Sequence, residues 1–438
     1  MPWGEGRGEG AFCIKLISIS LTLLLFTSCG LRTSRLTPTP VTGHEWPVWR
    51  GGLANTGAAL NDQAPVLDTL LWRIKTGGVA ATEPVIHGGY IFFGGWDRRL
   101  EIFRASDGGR VFRGRFKGPV TGIAPLDSTF LFATDQDERK LFVYTANPVS
   151  EIRATAIPTT SVPPRVLDDG SVIVTGMRGS LVRFDTTGGV IWNLSFDDPI
   201  TAAPAVDDSL VIVATGRKLM ARRLSDGVAV WTHSASGAIA AAPAVGQHVY
   251  FGSTDSLVYA LDRAHGSMVW FFSTGGQVLT TPTVGDSIVY VASNDRSIYA
   301  LHAATGRKVW SYDTGAPAKN NVTLAGDALL VGSLLNKLLV LDATTGDLRR
   351  SFDLQAAAAT APIIAGGRVY IGDTRRRLYC FGPKPAQAPS PQDYPTRSRT
   401  ACRATAVIRR TTAKPCHPGT GMAELPCQNG TVICHNVM

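Results

Sequence analysis

The fold is decided by a stretch that runs from Ala241 to Trp270 and reads AAPAVGQHVYFGSTDSLVYALDRAHGSMVW. The residues on either side of it repeat the same pattern, with a proline or a valine ahead of the first apolar pair. That position recurs every 39 to 41 residues and indicates eight copies of one structural unit. The eight positions are Pro84, Pro125, Pro164, Pro204, Pro243, Pro282, Val322 and Pro362.

Each copy predicts four short antiparallel strands, which we call A to D. In the quoted copy they cover residues 244–245, 249–251, 257–261 and 268–271, where runs of Val, Tyr, Leu and Met are separated by turn residues. No run is long enough for a helix. Such sheets must pack against each other to cover their faces, and radial closure into a β-propeller does this for every sheet.

The two ends of the repeat predict how the ring closes. The eighth copy stops after its C strand, Leu378 to Phe381, whereas an extra strand, Leu70 to Ile74, precedes the first copy and carries Trp72 at the D-strand position. Pairing these strands would remove two free sheet edges, which a solenoid of β-hairpins would leave exposed. We therefore predict an all-β fold: an eight-bladed propeller of four-stranded antiparallel blades over residues 46–383, with the last blade closed by the N-terminal strand.

The region before the propeller predicts export. Leu16 to Phe26 is an apolar run too short to span a bilayer and typical of a signal-peptide core. Small residues precede Cys29 as in a lipoprotein signal, which predicts a signal peptide over residues 1–28 and lipidation of Cys29. A plain signal peptide with an incidental cysteine is the alternative, and the acids near Met1 leave open a start codon further downstream. Residues 29–45, with Thr-Pro-Thr-Pro, predict a flexible linker.

The region after the propeller, residues 384–438, predicts a basic disordered tail or the product of a misread reading frame. It supplies five of the nine net positive charges of the 438-residue chain, so the high pI is no evidence for nucleic-acid binding. Its four cysteines match no zinc-site spacing. They are Cys402, Cys416, Cys427 and Cys434.

A large aromatic residue, usually tryptophan, occupies a fixed place on the D strand of most copies. A large aromatic ring there predicts packing against the neighbouring blade. The series is broken in the second copy and by Arg350 in the seventh. The ring positions are Trp72, Phe112, Trp192, Trp231, Trp270 and Trp310.

The stretch Trp46 to Gly57, WPVWRGGLANTG, and the Val-Trp pairs that follow the turn glycines resemble the PQQ-like β-propeller repeat proteins, and among them the BamB-type outer-membrane assembly lipoproteins. The resemblance implies a scaffold in the cell envelope. The same repeat also occurs in quinoprotein dehydrogenases, and those of the alcohol-dehydrogenase type carry an adjacent cysteine pair, a bound Ca²⁺ and a catalytic aspartate. This chain has no adjacent cysteines, and Cys380, the one thiol within the repeats, replaces an alanine of the C strand. We therefore predict no enzymatic activity and no PQQ cofactor.

The column just before the repeated proline is expected to line the axial channel, and half of its members are alanine. Few groups there could grip a quinone. A small ligand or ion at the channel mouth, or polar side chains satisfied by water, are the alternatives. The column reads Glu83, Ala124, Pro163, Ala203, Ala242, Thr281, Asn321 and Ala361, and the candidate ligand-binding residues are Glu83, Lys319, Asn320 and Asn321.

The turns between strands B and C share one face of a propeller, and seven of the eight are basic. Apolar residues beside arginine are typical of a protein interface, and the alternative is that the charged turns serve solubility alone. The A–B turns on the opposite face carry acids, at Asp127, Asp168, Asp169, Asp207, Asp208, Asp286 and Asp327. The candidate partner-binding residues are Trp96, Arg98, Arg99, Arg178, Arg217, Lys218, Leu334, Leu335, Lys337, Arg375, Arg376 and Arg377.

These observations favour a monomeric, non-catalytic propeller that is lipid-anchored in the outer membrane, faces the periplasm and binds an envelope protein in outer-membrane protein assembly. Two hypotheses of other classes remain: a PQQ-dependent dehydrogenase, and an envelope protein that binds a small ligand or a polysaccharide. No metal site is predicted.

Overall fold

A computed structural model describes residues 36, 49–59, 64–125, 129–134, 138–207 and 209–384, without the side chains of Trp49 and of residues 130–134. The predicted signal peptide, Cys29, the linker apart from Leu36, and the tail from residue 385 onward lie outside the described residues. Within the described residues, no helix has both the length and the apolar character needed to cross a bilayer.

The described strands pair into eight sheets. Six of these consist of four consecutive strands of the chain, and a seventh adds a short fifth strand to four consecutive ones. The eighth combines three consecutive strands with one from near the N-terminus. We number the sheets in chain order of their A strands. The A strands of neighbouring sheets contact each other around the axis, so strand A is innermost and strand D outermost. This is an all-β propeller with four-stranded antiparallel blades, as the repeat predicts.

Sheets 1 to 4 follow one another along the chain. Sheet 1 comprises β3 (Val85–His87), β4 (Tyr90–Gly95), β5 (Arg99–Arg104) and β6 (Arg110–Arg115). Sheet 2 comprises β7 (Val120–Pro125), β8 (Thr129–Thr134), β9 (Lys140–Ala146) and β10 (Val149–Ala156). Sheet 3 comprises β11 (Arg165–Val166), β12 (Val172–Gly176), β13 (Ser180–Phe184) and β14 (Val190–Ser195). Sheet 4 comprises β15 (Ala205–Val206), β16 (Leu210–Thr215), β17 (Lys218–Arg223) and β18 (Ala229–Ser234).

Sheets 5 to 8 complete the set. Sheet 5 comprises β19 (Ala244–Val245), β20 (Val249–Gly252), β21 (Leu257–Leu261) and β22 (Met268–Ser273). Sheet 6 comprises β23 (Thr283–Val284), β24 (Ile288–Ala292), β25 (Ser297–His302) and β26 (Lys308–Asp313). Sheet 7 comprises β27 (Thr323–Ala325), β28 (Ala328–Ser333), β29 (Lys337–Asp342) and β30 (Leu348–Asp353), with β1 (Ala58–Ala59) beside β27. Sheet 8 comprises β31 (Ile363–Ala365), β32 (Arg368–Gly372), β33 (Arg377–Gly382) and β2 (Thr69–Lys75).

The predicted closure by the N-terminal strand is confirmed. Strand β2 pairs antiparallel with β33, and Trp72 lies opposite Cys380. The Cys380 side chain is fully buried, and its burial raises the pKa of the thiol to about 12. Cys380 is therefore a small apolar core residue of sheet 8, as its place in the alanine column predicts.

A polar clasp joins most sheets to the next. The indole Nε1 of each D-strand tryptophan donates to a backbone carbonyl beside the C–D turn of the following sheet, at 2.8 to 3.3 Å. The ring also packs under the glycine of that turn. The five pairs are Trp72 with Ala105, Trp192 with Leu224, Trp231 with Arg263, Trp270 with Ala303 and Trp310 with Ala343.

Two of the three departures from tryptophan keep the clasp with a different donor, whereas Phe112 of sheet 1 has no side-chain donor. Arg153 occupies the position in sheet 2 and donates to the Thr186 carbonyl of sheet 3 at 2.9 Å. Arg350 occupies it in sheet 7 and donates to the Leu67 carbonyl at 2.8 Å. Sheet 8 has no C–D turn because its D strand comes from the other end of the sequence, so the long arginine side chain reaches the segment that enters β2.

We expect a matched pair of glycine substitutions to measure the clasp. Gly306 and Gly367 both have positive φ, 68° and 69°, but a Cβ at Gly306 would lie 2.6 Å from the Trp270 ring, whereas none of the described atoms lies within 4 Å of one at Gly367. Gly367→Ala should lower the free energy of unfolding by about 1 kcal/mol through backbone strain. Gly306→Ala should lower it by about 2–4 kcal/mol because it also displaces the indole. Equal losses in urea unfolding would show that the contact contributes nothing.

Candidate functional site

The axis of the propeller is crossed by the segment Trp49–Ala59, which we call the strap. It begins with a single 3-10 turn, Trp49–Gly51, and ends in β1, which pairs in parallel with β27. In between, its carbonyls accept one backbone hydrogen bond from the A-strand end of each of four successive sheets. The donors are Val206, Val245, Val284 and Leu324, and the acceptors are Leu53, Ala54, Thr56 and Gly57.

Arg50 holds the strap in place from within. Its side chain is completely buried, and its guanidinium donates to the carbonyls of Val322 and Pro282 and to the hydroxyl of Thr283, at 2.9 to 3.1 Å. Asn55, also buried, donates to the carbonyls of Pro204 and Pro243. The two side chains thus bind the inner strands of sheets 4 to 7 to one another through the strap.

Glu83 is a second charged group at the axis, and we call Arg50, Glu83, Arg165 and Asn321 together the hub. The Glu83 carboxylate accepts a hydrogen bond from Asn321 at 3.0 Å and another from the Arg50 backbone. Asn321 in turn accepts from the Thr281 backbone at 2.9 Å. Arg165, 1% exposed, donates through Nε to the Pro204 carbonyl at 3.1 Å. Glu83 therefore lies between two buried arginines and links sheet 1 to sheet 7.

Burial perturbs the protonation of all three hub charges. Burial raises the pKa of Glu83, and the positive charge of Arg50 offsets part of that rise. Burial likewise lowers the pKa of Arg50 to about 10 and of Arg165 to about 9, with Glu83 opposing both changes. At neutral pH the two arginines remain charged, so the hub carries excess positive charge in its interior.

Above the hub, two adjoining cavities of about 200 and 250 Å³ form an axial well on the face that carries the B–C turns, which we call the B–C face. Seven of the eight residues in the column before the repeated proline line it, all except Ala124. Small side chains of alanine and threonine make up most of the remaining wall.

The structure gives the four predicted ligand residues different roles. Glu83 and Asn321 belong to the hub, and Asn320 donates to the carbonyls of Gly332 and Ala358. Only Lys319 is an exposed charge in the well, and no ion pair to it occurs within the described residues. The polar atoms predicted to hold a ligand mostly hold the protein together instead.

Sequence reasoning missed Arg50 and Arg165 at the axis. Arg50 lies in the Trp-Arg-Gly-Gly stretch outside the repeat, so no column places it. Arg165 replaces the alanine or threonine that follows the repeated proline in sheets 4 to 7. A lone large cation in a column of small residues was the available signal for it.

The predicted partner-binding residues do lie in or beside the B–C turns, but they differ in whether an ion pair neutralises them. Four cations of these turns form ion pairs: Arg99 with Asp97, Arg296 with Asp313, Lys337 with Asp353 and Arg377 with Asp373. Others are exposed and form no ion pair within the described part of the chain. These are Arg98, Arg178, Arg217, Lys218, Arg375 and Arg376.

Apolar exposure on the B–C face is concentrated where the ring closes. Trp96 in sheet 1 is 54% exposed and Leu335 in sheet 7 is 52% exposed, whereas Leu334 is only partly exposed. The two unpaired cations Arg375 and Arg376 of sheet 8 lie between these two turns in the order of the ring. Arg178, Arg217 and Lys218 belong to sheets 3 and 4, so the structure does not bring them together with this group.

The acidic character expected for the opposite face is largely neutralised. Asp169 pairs with Arg183 and Asp327 with Arg349, both at 2.6 Å, and Asp207 pairs with Arg263. Asp127 and Asp208 lie outside the described residues. The contrast between the faces thus comes mainly from the B–C side.

No group of three potential metal ligands among His, Cys, Asp and Glu occurs within the described residues. The polar groups of the described residues that line the well are the Lys319 ammonium, the Glu83 carboxylate, and a few hydroxyls and amides.

The sequence profile described as outer membrane protein assembly factor BamB matches residues 148–242 and 225–381, which together span more than half of the chain. No curated protein matches the sequence.

Three solved structures are similar in fold. BamB from Moraxella catarrhalis is 18% identical, covers 72% of this chain and all of its own, and has a TM-score of 0.63. The computationally designed Ika8 protein is 15% identical over 74% of this chain and 99% of its own, with a TM-score of 0.59. A europium-containing methanol dehydrogenase is 12% identical over 77% of this chain and 98% of its own, with a TM-score of 0.66.

The raised pKa of Glu83 predicts a pH dependence of stability. Because the folded state keeps this proton to a higher pH than the unfolded chain, the contribution of Glu83 is greatest below the unfolded pKa of about 4.3 and is lost as pH rises through the folded pKa. Relative to wild type, Glu83→Gln should therefore gain stability between pH 4.5 and neutrality, by at most about 1.4 kcal/mol per unit of pKa shift. Urea unfolding at several pH values tests this, and a constant difference between the two proteins would contradict it.

Proposed function

This chain belongs to the family of outer membrane protein assembly factor BamB, and from that premise we propose that it is a non-catalytic scaffold that docks a protein of the outer-membrane assembly machinery. One observation carries the proposal beyond the family. Exposed apolar side chains and unpaired arginines occur together on the B–C face, at the sheets that close the ring.

We place the docking surface on the B–C turns of sheets 7, 8 and 1. Leu335 and Trp96 supply apolar area that is costly to leave in water, and Arg375 and Arg376 supply charged donors between them. Aromatic and arginine side chains contribute disproportionately to protein interfaces. The remaining predicted residues, on sheets 3 and 4, would serve long-range electrostatic attraction rather than contact.

Export and anchoring complete the proposal. The leader and Cys29 support a lipid-anchored envelope protein, and lipidation would tether the domain to a membrane without spanning it. We propose the outer membrane, facing the periplasm, because the family is described by its role in outer-membrane assembly.

The axial well supports the absence of quinone chemistry. The walls of its two adjoining cavities, of about 200 and 250 Å³, are mostly small side chains and present one exposed cation, Lys319, whereas a bound cofactor needs several convergent polar groups. Arg50, which could bind a carboxylate, donates to protein carbonyls and a hydroxyl. The residues present therefore do not fit a tricarboxylate cofactor, and no metal-ligand group occurs among the described residues.

The resemblance in fold to a methanol dehydrogenase keeps a dehydrogenase as the second candidate function. Binding of a small ligand or a polysaccharide would have to use Lys319 and the alanine-rich wall of the well, which offer few directional contacts.

Capture from membranes tests the scaffold. The tagged, anchored chain, cross-linked in cells that carry a native assembly machinery, should recover a protein of that machinery. Leu335→Ser should reduce recovery at least fivefold, because the side chain is exposed on the proposed surface. Leu348→Ser is the matched control, since Leu348 is a similarly exposed leucine of the same sheet but on the other face. Glu substitutions of Arg98, Arg99 and Arg375 should also weaken capture, and unaltered recovery in all variants would reject this surface.

Reconstitution tests the dehydrogenase alternative. We expect no dye reduction when the purified chain is incubated with PQQ, an alcohol or sugar substrate, and either Ca²⁺ or Eu³⁺. Turnover above that of a heat-denatured sample would overturn the non-catalytic proposal.

A further inference from the structure

One position in the propeller compares all eight sheets directly. It is the cross-strand pair formed by the first residue of strand C and the last residue of strand D, at the edge of the B–C face. Six sheets place there a pair without electrostatic conflict. These are Lys140 with Ala156, Ser180 with Ser195, Lys218 with Ser234, Leu257 with Ser273, Ser297 with Asp313 and Lys337 with Asp353.

Sheets 8 and 1 depart from this pattern in the same way. Lys75 lies directly opposite Arg377 in sheet 8, and Arg115 lies directly opposite Arg99 in sheet 1. Directly opposed side chains share one face of the sheet, so like charges there repel each other and destabilise the pair. The two sheets are neighbours in the ring, so the two unfavourable pairs are adjacent.

Nearby carboxylates neutralise only one of the two cations in each pair. Asp97 pairs with Arg99 at 2.8 Å, and Asp373 pairs with Arg377 at 3.2 Å. Lys75 and Arg115 are exposed, and neither forms an ion pair within the described residues. The outer member of each pair is therefore a cation available to an external anion.

The adjoining turns add more positive charge at an energetic cost. Arg98 and Arg376 have φ of 65° and 62°, a left-handed conformation that favours glycine or asparagine. The same left-handed position is Gly179 in sheet 3, Ser256 in sheet 5 and Asn336 in sheet 7, and it is also arginine in sheets 2 and 6, at Arg139 and Arg296. Arginine there gives the backbone no benefit, and both side chains are exposed without an ion pair to any described residue.

Together these side chains form what we call the cationic sector, seven cations against the two carboxylates of the same turns. It consists of Lys75, Arg98, Arg99, Arg115, Arg375, Arg376 and Arg377. None of them lines either cavity of the axial well, so the sector is separate from that well. Trp96, 54% exposed, adjoins Arg98 in the same turn.

We propose that the cationic sector binds an anionic phospholipid surface. Arginine matches phosphate geometry with its paired donors, and clustered basic residues gain attraction from anionic headgroups. An exposed tryptophan beside them suits the bilayer interface, where amphipathic rings accumulate. An acidic protein segment is the competing occupant, and the polyglutamate experiment below distinguishes it from the lipid.

This inference goes beyond the proposed protein docking. Because both surfaces include Trp96, Arg375 and Arg376, the lipid and the protein would compete for this part of the B–C face, and the two proposals are tested separately. The full-length Cys29→Ser chain, which cannot be lipidated at that position, is mixed with vesicles of phosphatidylcholine alone or of equal parts phosphatidylcholine and phosphatidylglycerol. Binding to the neutral vesicles measures any contribution of the apolar leader. The increase on anionic vesicles measures the contribution of charge, and salt should reduce it.

The corresponding positions in other sheets of the propeller indicate which residue should replace each cation. Serine replaces the D-strand cation in sheets 3, 4 and 5 and the turn arginine in sheet 5, at Ser256. The variant Lys75→Ser, Arg98→Ser, Arg115→Ser, Arg376→Ser should bind anionic vesicles at least tenfold more weakly. The control Arg139→Ser, Arg178→Ser, Arg217→Ser, Lys218→Ser removes the same charge from sheets 2 to 4 of the same face and should lose far less.

Stability distinguishes binding from a structural role. At low salt and without vesicles, the sector variant should unfold at the same temperature as wild type or higher, because two like-charge pairs are removed.

Equal loss of binding in both quadruple variants, no preference of wild type for anionic vesicles, or a lower unfolding temperature of the sector variant alone would overturn the proposal. Binding of polyglutamate without binding of anionic vesicles would replace the lipid with an acidic protein. Leu335→Ser should leave vesicle binding unchanged, so failure of the docking proposal would not affect this one.

Discussion

Seven of the eight sheets of this propeller are each held to the next by a side chain that donates a hydrogen bond to a backbone carbonyl across the gap, whereas sheet 1 has Phe112 at that position, whose side chain has no such donor. Tryptophan does this in five sheets and arginine in two, so the donor and its reach are kept while the side chain changes. In a repeat architecture every sheet is stabilised mainly through its neighbours, and an interface term that recurs around the ring sets the rigidity of the whole. The positions of the B–C turns and of the axial well depend on it.

Much of the fold could be predicted because it is periodic. Spacing, strand lengths and the displaced Trp72 strand follow from comparing copies within one sequence, and the pairing of β2 with β33 matches that comparison. The role of Arg153 and Arg350 could not be predicted in this way. A residue that departs from its column looks like a defect until the acceptor on the next sheet is known.

The candidate sites were harder to predict because they depend on residues outside the repeat or on which partners lie nearby. Nothing in the sequence shows that Arg50 reaches the inner strands of sheets 6 and 7, since the strap that carries it has no counterpart in any copy. Charge on the turns was visible, but its neutralisation was not. Arg99 and Lys337 appear equivalent in sequence, yet one lies opposite Arg115 and the other opposite Asp353.

The pairing of β2 with β33 has a consequence for how the chain acquires its structure. Trp72 and Cys380 face each other across the same sheet although nearly the whole domain separates them in sequence. A chain that is synthesised from its N-terminus can build sheets 1 to 7 in order, but β2 has no partner until β33 has been made. Until then an unpaired edge is open to wrong associations. Completion of the ring therefore comes last, after almost the whole domain is available, and any factor that shields β2 until then would protect the domain when it is most prone to aggregate.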